Sequence, residues 1–532
     1  MVVHLIWGGI KRTINGYEVE KKAETPRVDM KAVTTEFLGT LLLTFVGCGA
    51  ATVHGAGTPV TRLIIAFCFG MSVMAIAFSI GHHSGGHLNC AVTFSLVLGG
   101  EVSWNQGLAN LLAQCLASIL ACALLAMIHP CEMDMTTTLA TNIPAPGFED
   151  WQVILAEIVG TFLLCFTVWE TAVSSAKSCG NNSCLVIGCS VFLAINVLIH
   201  VDGCSINPNR SLGPAIVSKL RGCSNFTDGG LAALWMMWVG PLVGGALAAM
   251  TRLIFAPQAQ SIPSKVKVNW GLQRSDTGFG EESLSKTVDL KAAAAEVVGT
   301  ALLCFVGCGA AMLNGADTPD KKIVIAMCFG LGVMVNAYST AHHSGGQLNP
   351  AVTLSLVCGQ AVPVRQGVVN LVAQSVGSVI GAALLAGIVP CDKDLTTNIA
   401  SNMRAPGYTE AQVIFGEAVG TFLLCFTVWE TAVNPLSDCG KNACLAIGGA
   451  VMISVCMLIS VDGCSLNPAR SLGPAIVASF RGCENYTSGA LQDMWMMWVG
   501  PCLGGVAAAA VRYPLTDALC KRKEGQEEPA AS

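Results

Sequence analysis

Long apolar runs alternate with short polar segments along the whole chain. About 20 mostly apolar residues suffice for a helix that crosses a bilayer. In the first half of the chain the runs cover residues 32–53, 63–80, 105–127, 152–173, 184–201 and 230–252, and two further apolar segments are too short to cross. The same pattern returns in the second half. The chain is therefore predicted to be an all-α polytopic membrane protein with twelve spans.

The composition supports a chain that faces lipid. Charged residues make up 12% of the 532 positions, against roughly 25% in an ordinary soluble protein. Hydrophobic residues make up 53%. The net charge is only −5 and the basic residues occur in short scattered groups, which argues against nucleic acid as a partner. This composition makes the lipid bilayer the expected partner. The first ten residues show no signal-peptide cleavage pattern, so the first span is expected to stay uncleaved.

The second half of the chain repeats the first. The string GTFLLCFTVWETAV begins at Gly160 and again at Gly420, 260 residues later. The same offset relates GHHSGGHLNCAVT from Gly81 to AHHSGGQLNPAVT from Ala341, and INPNRSLGPAIV to LNPARSLGPAIV. Long matching strings at one unbroken offset indicate a tandem duplication.

Each copy consists of two related halves. TEFLGTLLLTF from Thr35 resembles AEIVGTFLLCF from Ala156. Because each half has three spans, the second half enters the membrane in the opposite orientation to the first. This is the inverted-repeat arrangement of many transport proteins. We divide the chain into an N-terminal segment 1–29, a first six-span unit 30–256 (unit 1), a linker 257–289, a second unit 290–513 (unit 2) and a tail 514–532.

Basic residues predict the orientation of the chain. Lys and Arg concentrate before the first span, in or beside the linker and in the tail, and such clusters favour the cytoplasmic side. Both termini and the linker are therefore expected in the cytoplasm, with the plasma membrane as the expected location. Asn225 and Asn485 begin sequons on loops expected outside, which makes them glycosylation candidates.

Two short segments in each unit carry the residues that indicate function. Each segment follows a glycine-containing turn and opens with an asparagine: Asn89, Asn207, Asn349 or Asn467. Asn is a good N-cap and Pro fits the first helical position, so half-helices are predicted. Irregular backbone at membrane depth is tolerated only where it is buried or lines a watery cavity. The pattern therefore favours a pore.

These motifs resemble those of the aquaporin family. The resemblance rests on the paired Asn-Pro-Ala-type motifs, the patterns SGGxLNxAVT and NPxRSLGPA, and an ExxGT pattern at the start of each half, and it covers about 30–254 and 291–513. It implies a right-handed six-helix bundle in each unit, with two half-helices meeting around one water-filled pore. Half-helix dipoles, the asparagine amides and a filter arginine then disfavour protons and ions.

The resemblance also implies the narrow filter of each pore. Arg210 and Arg470 follow the second asparagine of each unit, and a charge at that depth is a functional-site hypothesis. Alignment with the family gives filter 1 as Phe69, Ile195, Cys204 and Arg210, and filter 2 as Phe329, Val455, Cys464 and Arg470. Strict water channels usually have His where Ile195 and Val455 stand, so the filter is expected to be wider and less polar.

Other positions favour water as the main permeant. Glycerol-conducting members usually have Asp where this chain has Ser211 and Ser471. Hydrogen peroxide, urea and glycerol stay open as further small neutral solutes. Unit 1 departs from the family pattern at Cys90, which replaces a proline, and at Asn209, which replaces a small alanine and is expected to add a polar group beside the pore. Pore 1 is therefore expected to conduct differently from pore 2.

The resemblance assigns structural roles to further residues. Acids expected to brace the half-helix loops are Glu36, Glu157, Glu296 and Glu417. Independently of the resemblance, Cys131 and Cys223, and Cys391 and Cys483, lie on loops expected on the oxidising outer side, so each pair is expected to form a disulfide, with free thiols as the alternative. Cys204 and Cys464 match the mercury-sensitive position of the family. Histidines placed on the inner loops are His82, His83, His342 and His343. Hydrogen bonding to the loop is the favoured interpretation of these histidines, with pH sensing as the alternative.

Other functions fit less well. A secondary transporter would need an ionisable pair or ion site near the midplane, and the sequence offers only the bracing acids. A structural membrane protein with one or both pores closed stays the alternative, because of the departures in unit 1. No nucleophile, phosphate-loop or metal-ligand pattern stands out, so no enzyme activity, cofactor or metal is expected. Family members assemble as tetramers of one-pore units, so a homodimer forming a pseudo-tetramer is expected.

Overall fold

The structure is helical across all the predicted spans. It is a computed structural model that describes residues 13–14, 17–18, 27–174, 179–224, 226, 229–255, 288–434, 437–484, 486 and 489–524, with side chains described between 27 and 512. Near the N-terminus, the short strands β1 (Thr13–Ile14) and β2 (Tyr17–Glu18) pair antiparallel. Residues 256–287, which hold almost all of the predicted linker, and both sequon residues Asn225 and Asn485 lie outside the described residues.

Unit 1 contains six spanning segments and two half-helices. Its helices are α1 (Met30–His54), α2 (Pro59–Ser84), α3 (Cys90–Leu98), α4 (Trp104–Ile128), α5 (Asp150–Val168), α6 (Ser183–Leu198), α7 (Pro208–Arg221), α8 (Gly230–Ala233) and α9 (Met236–Phe255). A π-helical turn, Trp169–Val173, extends α5. The half-helices are α3 and α7, and α8 is a single turn that leads into the last span.

Unit 2 repeats this order. Its helices are α10 (Leu290–Asn314), α11 (Pro319–Ser344), α12 (Pro350–Cys358), α13 (Val364–Ile388), α14 (Glu410–Val428), α15 (Ala443–Leu458), α16 (Pro468–Arg481) and α17 (Gly489–Glu524), with a π-helical turn at Trp429–Val433. Twelve helical segments of the described chain are long and apolar enough to cross a membrane. The predicted twelve-span, all-α architecture is confirmed.

Capping residues explain where the second spans begin and end. Thr58 forms a capping box with Thr61 ahead of α2, which satisfies free N–H groups of the first turn. Gly85, at φ 90°, ends α2 in the left-handed conformation that glycine adopts most easily. The helix therefore continues past the predicted end at residue 80. The placement of His82 and His83 on a loop is wrong, because both lie in the last turn of α2.

Close glycine contacts hold the second and fifth spans of each unit together. A Cβ atom on Gly70 would lie 2.7 Å from the carbonyl oxygen of Gly188, and one on Gly330 would lie 2.7 Å from that of Gly448. Only glycine permits the α2 and α6 backbones, and those of α11 and α15, to approach this closely. Without a hydrophobic driving force between helices in lipid, such close packing stabilises helix pairs.

The two units pack side by side through α2, α5 and α6 of unit 1 and α10, α11 and α13 of unit 2. The Asn182 amide donates to Asn442 Oδ1 at 2.9 Å across this junction. In α11, 78% of the apolar window is buried inside the chain, against 28% in the equivalent α2. In α5 the share is 72%, against 39% in α14. The outward faces of α1–α2 and α14–α15 are thus open where their counterparts are covered, although α2 also contacts α11.

Candidate functional site

The N-termini of the two half-helices meet inside unit 1. Asn89 caps α3 by accepting from the N–H of Ala91 at 2.7 Å. The Asn89 amide nitrogen donates to the carbonyl of Ile206 at 2.8 Å, and the Asn207 amide nitrogen donates to the carbonyl of Leu88 at 3.0 Å. Each amide nitrogen carries two hydrogens, and these bonds use one of them. The second hydrogen of each asparagine is available to the cavity between them.

Unit 2 shows the same arrangement. The Asn349 amide nitrogen donates to the carbonyl of Leu466 at 2.9 Å, and the Asn467 amide nitrogen donates to the carbonyl of Leu348 at 2.8 Å. The N-terminus of a helix carries a partial positive charge. In each unit two such ends, each tipped by an asparagine, therefore concentrate positive potential and N–H donors at one place.

The loops before the asparagines adopt a strained backbone that buried carboxylates hold. Leu88 has φ 57° and Ile206 has φ 43°, a region that costs a bulky residue about 1–3 kcal/mol. The N–H of Leu88 donates to Glu36 at 2.7 Å, and that of Ile206 donates to Glu157 at 2.6 Å. In unit 2 the matching bonds run from Leu348 to Glu296 and from Leu466 to Glu417, each at 2.6 Å.

Two glutamines that the sequence analysis missed support the same loops. Gln114 donates to Glu36 at 2.8 Å, and Gln374 donates to Glu296 at 2.7 Å. Both side chains are fully buried. A polar residue inside an otherwise apolar span usually faces the bundle interior. The occurrence of a glutamine at the same position of both units could therefore have indicated these two residues.

The two arginines are buried beside the phenylalanines of the expected filters. In unit 1, Arg210 donates to the carbonyl of Ala140 at 2.8 Å, and its guanidinium lies 5.1 Å from the Phe69 ring centre. In unit 2, Arg470 donates to the carbonyl of Ala400 at 2.7 Å and lies 4.6 Å from the Phe329 ring centre. The fixed carbonyl and the ring face hold each positive charge in one place.

Asparagines on the preceding loops are a second feature that the sequence analysis missed. Asn142 accepts from Arg210 at 2.5 Å and from Ser211 at 2.7 Å. In unit 2, Asn402 accepts from Ser471 at 2.8 Å. Both asparagines are about 70 residues away in sequence from the side chains that they bind, and no local pattern relates them.

A cavity in each unit collects the predicted residues. In unit 1 it encloses about 870 Å³, open mouths included, and is lined by Asn89, Asn207, Phe69, Ile195, Cys204 and Arg210 among others. In unit 2 it encloses about 760 Å³ and is lined by Asn349, Asn467, Phe329, Val455, Cys464 and Arg470 among others. Asp and Glu do not occur among the described residues that line either cavity. Each cavity is an apolar passage with a few inward N–H donors and one fixed positive charge.

The departures of unit 1 contact each other. The backbone N–H of Cys90 donates to Asn209 Oδ1 at 2.8 Å, and Asn209 is fully buried. Pro350, at the position of Cys90 in unit 2, has no N–H to satisfy. The expectation that Asn209 adds a polar group beside the pore is therefore wrong, because its carbonyl oxygen turns toward the start of α3 and the residue does not line the described cavity.

Disulfide bonds fasten the loop after the third span of each unit. Cys131 is bonded to Cys223, and Cys391 to Cys483, with a Cα–Cα distance of 5.7 Å in both pairs. Each bond ties the segment that follows α4 or α13 to the end of the second half-helix. The same region contains an ion pair between Arg481 and Asp394 at 3.0 Å.

The histidines near the first half-helices differ between the units. His342 and His343 lie in the last turn of α11 and contact Glu170 of unit 1. The rings of His82 and His83 lie beside one another in a tilted arrangement, with ring centres 3.7 Å apart, and His82 is exposed. The favoured interpretation, hydrogen bonding to their own loops, thus misses the contact between units.

Comparison with known proteins gives a family match and several similar proteins. The family model described as Major intrinsic protein matches residues 22–252 and again 283–513. Aquaporin-1 of Homo sapiens is 34% identical over 271 residues, which cover 49% of this chain and 95% of that protein. Aquaporin-1 of Canis lupus familiaris is 33% identical over 270 residues, with the same coverage. The X-ray structure of the aquaglyceroporin from Plasmodium falciparum is 22% identical, covers 43% of this chain and 99% of its own, and has a TM-score of 0.38.

Proposed function

The chain belongs to the major intrinsic protein family, and on that premise we propose that it is a water channel with two pores, one in each unit. It is a multi-pass membrane channel and not an enzyme. The observation that carries the proposal is the meeting of two asparagine-tipped half-helices beside a buried arginine, on the wall of a cavity, in both units. Water is the permeant that this mixture of apolar wall and single N–H donors fits best.

The same wall excludes ions. Two helix N-termini and a fixed arginine on the cavity wall repel cations, and the described lining offers no carboxylate to compensate. An anion would have to shed its hydration shell in a passage whose walls are mainly apolar, at a cost of several kcal/mol. Asparagine N–H groups that donate to a passing water oxygen also break the water chain along which a proton would move.

The filter composition sets the expected solute range. Ile195 and Val455 supply aliphatic groups where a strict water filter has an imidazole, and Cys204 and Cys464 supply small thiols. Such a filter gives a small solute fewer polar partners and more room. We infer that hydrogen peroxide, urea and glycerol pass more slowly than water, with size as the main barrier.

The open faces support a homodimer. Within one chain, α5–α6 of unit 1 cover α10–α11 of unit 2, while α1–α2, apart from the contact of α2 with α11, and α14–α15 stay open. Because the units are copies, the α14–α15 face of one chain matches the α1–α2 face of a second chain. Two such junctions close a ring of four pore units. With the termini in the cytoplasm, as the basic residues favour, the disulfide loops face the outside of the plasma membrane.

Osmotic swelling of proteoliposomes tests the proposal. Tryptophan at the filter should close one pore at a time, so Ile195→Trp and Val455→Trp should each lower water permeability and the double variant should abolish it. Leu112→Trp is the matched control, because Leu112 is 55% exposed on the outer face of α4. Permeability at the level of empty liposomes for the wild-type chain would favour a structural protein with closed pores. Saturable flux that depends on an ion gradient would favour a transporter.

A further inference from the structure

Three side chains of metal-ligating type meet at the junction between the units. Glu170 lies in the π-helical turn that follows α5, and His342 and His343 lie in the last turn of α11. The Nε2 atoms of both imidazoles lie 2.9 Å from the same oxygen, Glu170 Oε2. The ligand atoms of all three residues lie within 4.8 Å of one another.

The cluster is a built site. The exposed fraction of the side chain is 12% for each histidine and 6% for Glu170. The His343 ring stacks on Phe255 with ring centres 4.5 Å apart, and the two imidazoles lie 3.9 Å apart. The π-helical turn adds a residue to the end of α5, and such turns frequently occur at functional sites. A carboxylate is costly to bury without a compensating charge, and a cation bound between Glu170 and the two imidazoles would supply one.

We propose that Glu170, His342 and His343 bind a divalent transition-metal ion of the zinc type. Two imidazole nitrogens and one carboxylate oxygen form a ligand set that zinc accepts, with a fourth position left for water. Ligand atoms around a tetrahedral zinc ion lie about 3.3 Å apart. Each nitrogen lies 2.9 Å from the Glu170 oxygen, so these two distances would open by about 0.4 Å when the ion enters. The sequence analysis expected no metal, because the ligands come from different units.

The ion would fix the entrance of pore 2. His342 and His343 are separated only by Ser344 from Gly345 and Gly346, which line the cavity of unit 2 and lead to Asn349. A metal bond from Glu170 to these histidines therefore joins the wall of pore 2 to unit 1. The site connects the two pore units at the point where α11 ends.

The equivalent cluster with the units exchanged would consist of Glu430 of unit 2 and His82 and His83 of unit 1. Within one chain these three residues do not form such a cluster. Glu430 lies in the second π-helical turn and accepts from Asn434 at 2.6 Å, while its other carboxylate oxygen is buried without a hydrogen-bond partner in the described structure. His82 and His83 lie at the open α1–α2 face. In the proposed homodimer, His82 and His83 of a second copy would reach Glu430 and complete a second site. This extension alone rests on the proposed dimer.

Cobalt titration of the purified full-length protein tests the site without any transport measurement. Exposed thiols are first alkylated, so that Cys358 and Cys456 do not bind the metal, and Co²⁺ is followed by its visible absorption. The wild-type chain should show a nitrogen and oxygen site, and Zn²⁺ should displace the cobalt. Glu170→Gln and His343→Gln should each lose one equivalent of Co²⁺, or bind it at least about 100-fold more weakly, because loss of a direct ligand exceeds the effect of an outer-shell change.

The matched variant Glu430→Gln distinguishes the site within one chain from the second site that a dimer would complete. If Glu430→Gln binds as the wild type does and Glu170→Gln loses an equivalent, the site lies within the chain only. If each variant loses one of two equivalents, the site within the chain stands and the dimer completes a second one. Unchanged Co²⁺ binding in both Glu170→Gln and His343→Gln, with wild-type elution on size exclusion, would overturn the proposal. If one of these variants does not fold, the other still decides.

Discussion

The two pore units begin their first half-helix with different chemistry. In unit 2, Pro350 removes the N–H at the first helical position, and Ala469 opposite it is small and apolar. In unit 1, Cys90 restores that N–H, and Asn209 supplies an acceptor for it at 2.8 Å. The two departures from the family pattern lie 119 residues apart in sequence and satisfy each other. The two substitutions therefore compensate for each other, because Cys90 adds an N–H donor and Asn209 adds the oxygen that accepts from it.

The second half-helix of unit 1 also lacks a cap that its counterpart in unit 2 has. In unit 2, Asn467 Oδ1 accepts from the backbone N–H groups of Ala469 at 3.1 Å and Arg470 at 3.2 Å, which caps α16. In unit 1, the side chain of Asn207 makes no capping bond to α7 and its Oδ1 is buried without a partner among the described residues. Since a lost cap costs about 1 kcal/mol, pore 1 should be the less rigid of the two.

The largest expected effect comes from the bracing acids. Glu36 accepts hydrogen bonds from Ser84, His87, Leu88 and Gln114. Glu36→Leu leaves these buried donors unpaired, at about 1–3 kcal/mol each, so the free energy of unfolding should fall by at least about 4 kcal/mol. Glu296→Leu should cost as much in unit 2. Thermal unfolding in detergent measures both, with the lipid-facing Leu116→Ala as control.

The same two variants compare the pores. If both pores conduct, the permeability of whatever folded protein remains should fall in both variants. A loss confined to Glu296→Leu would show that pore 1 is silent, and a loss confined to Glu36→Leu would contradict the view that unit 2 is the more regular pore. Equal stability of wild type and both variants would show that the carboxylates do not hold the strained loops.

The pairing of Cys90 with Asn209 is tested by a double-mutant cycle, with a smaller effect. Asn209→Ala leaves the Cys90 N–H buried and unpaired, so the free energy of unfolding should fall by about 1–3 kcal/mol. Adding Cys90→Pro removes that N–H and should recover most of the loss, with a coupling energy of about 1–2 kcal/mol. In unit 2, the single variant Pro350→Cys should lower the free energy of unfolding. Adding Ala469→Asn should restore most of it. Additive effects in both units would mean that the contact between Cys90 and Asn209 contributes nothing.

The sequence predicts most of the fold because its signals are local. Span length, the Asn-Pro caps and the glycine at the end of α2 act within a few residues, and the twelve spans follow from them. The partners of the buried polar groups do not follow, because they depend on which helices pack together. Gln114 reaches Glu36 from α4, and Glu170 meets His342 only because two complete units lie side by side. Asn209 was misread for the same reason, since its direction depends on a loop from the other half of the unit.

The smallest expected change compares the pores by thiol chemistry. Cys204 and Cys464 each line a cavity beside the filter arginine, and Cys184 and Cys444 line the same cavities elsewhere. A mercury reagent at the filter thiol should block water. Cys204→Ser and Cys464→Ser should each leave a resistant part of the swelling rate that equals the contribution of the altered pore, and the double variant should be fully resistant. Cys184→Ser and Cys444→Ser are the controls, and resistance in them would place the block away from the filter. A resistant part larger in Cys464→Ser than in Cys204→Ser would show that pore 2 carries more water, as its proline and its capped second half-helix favour.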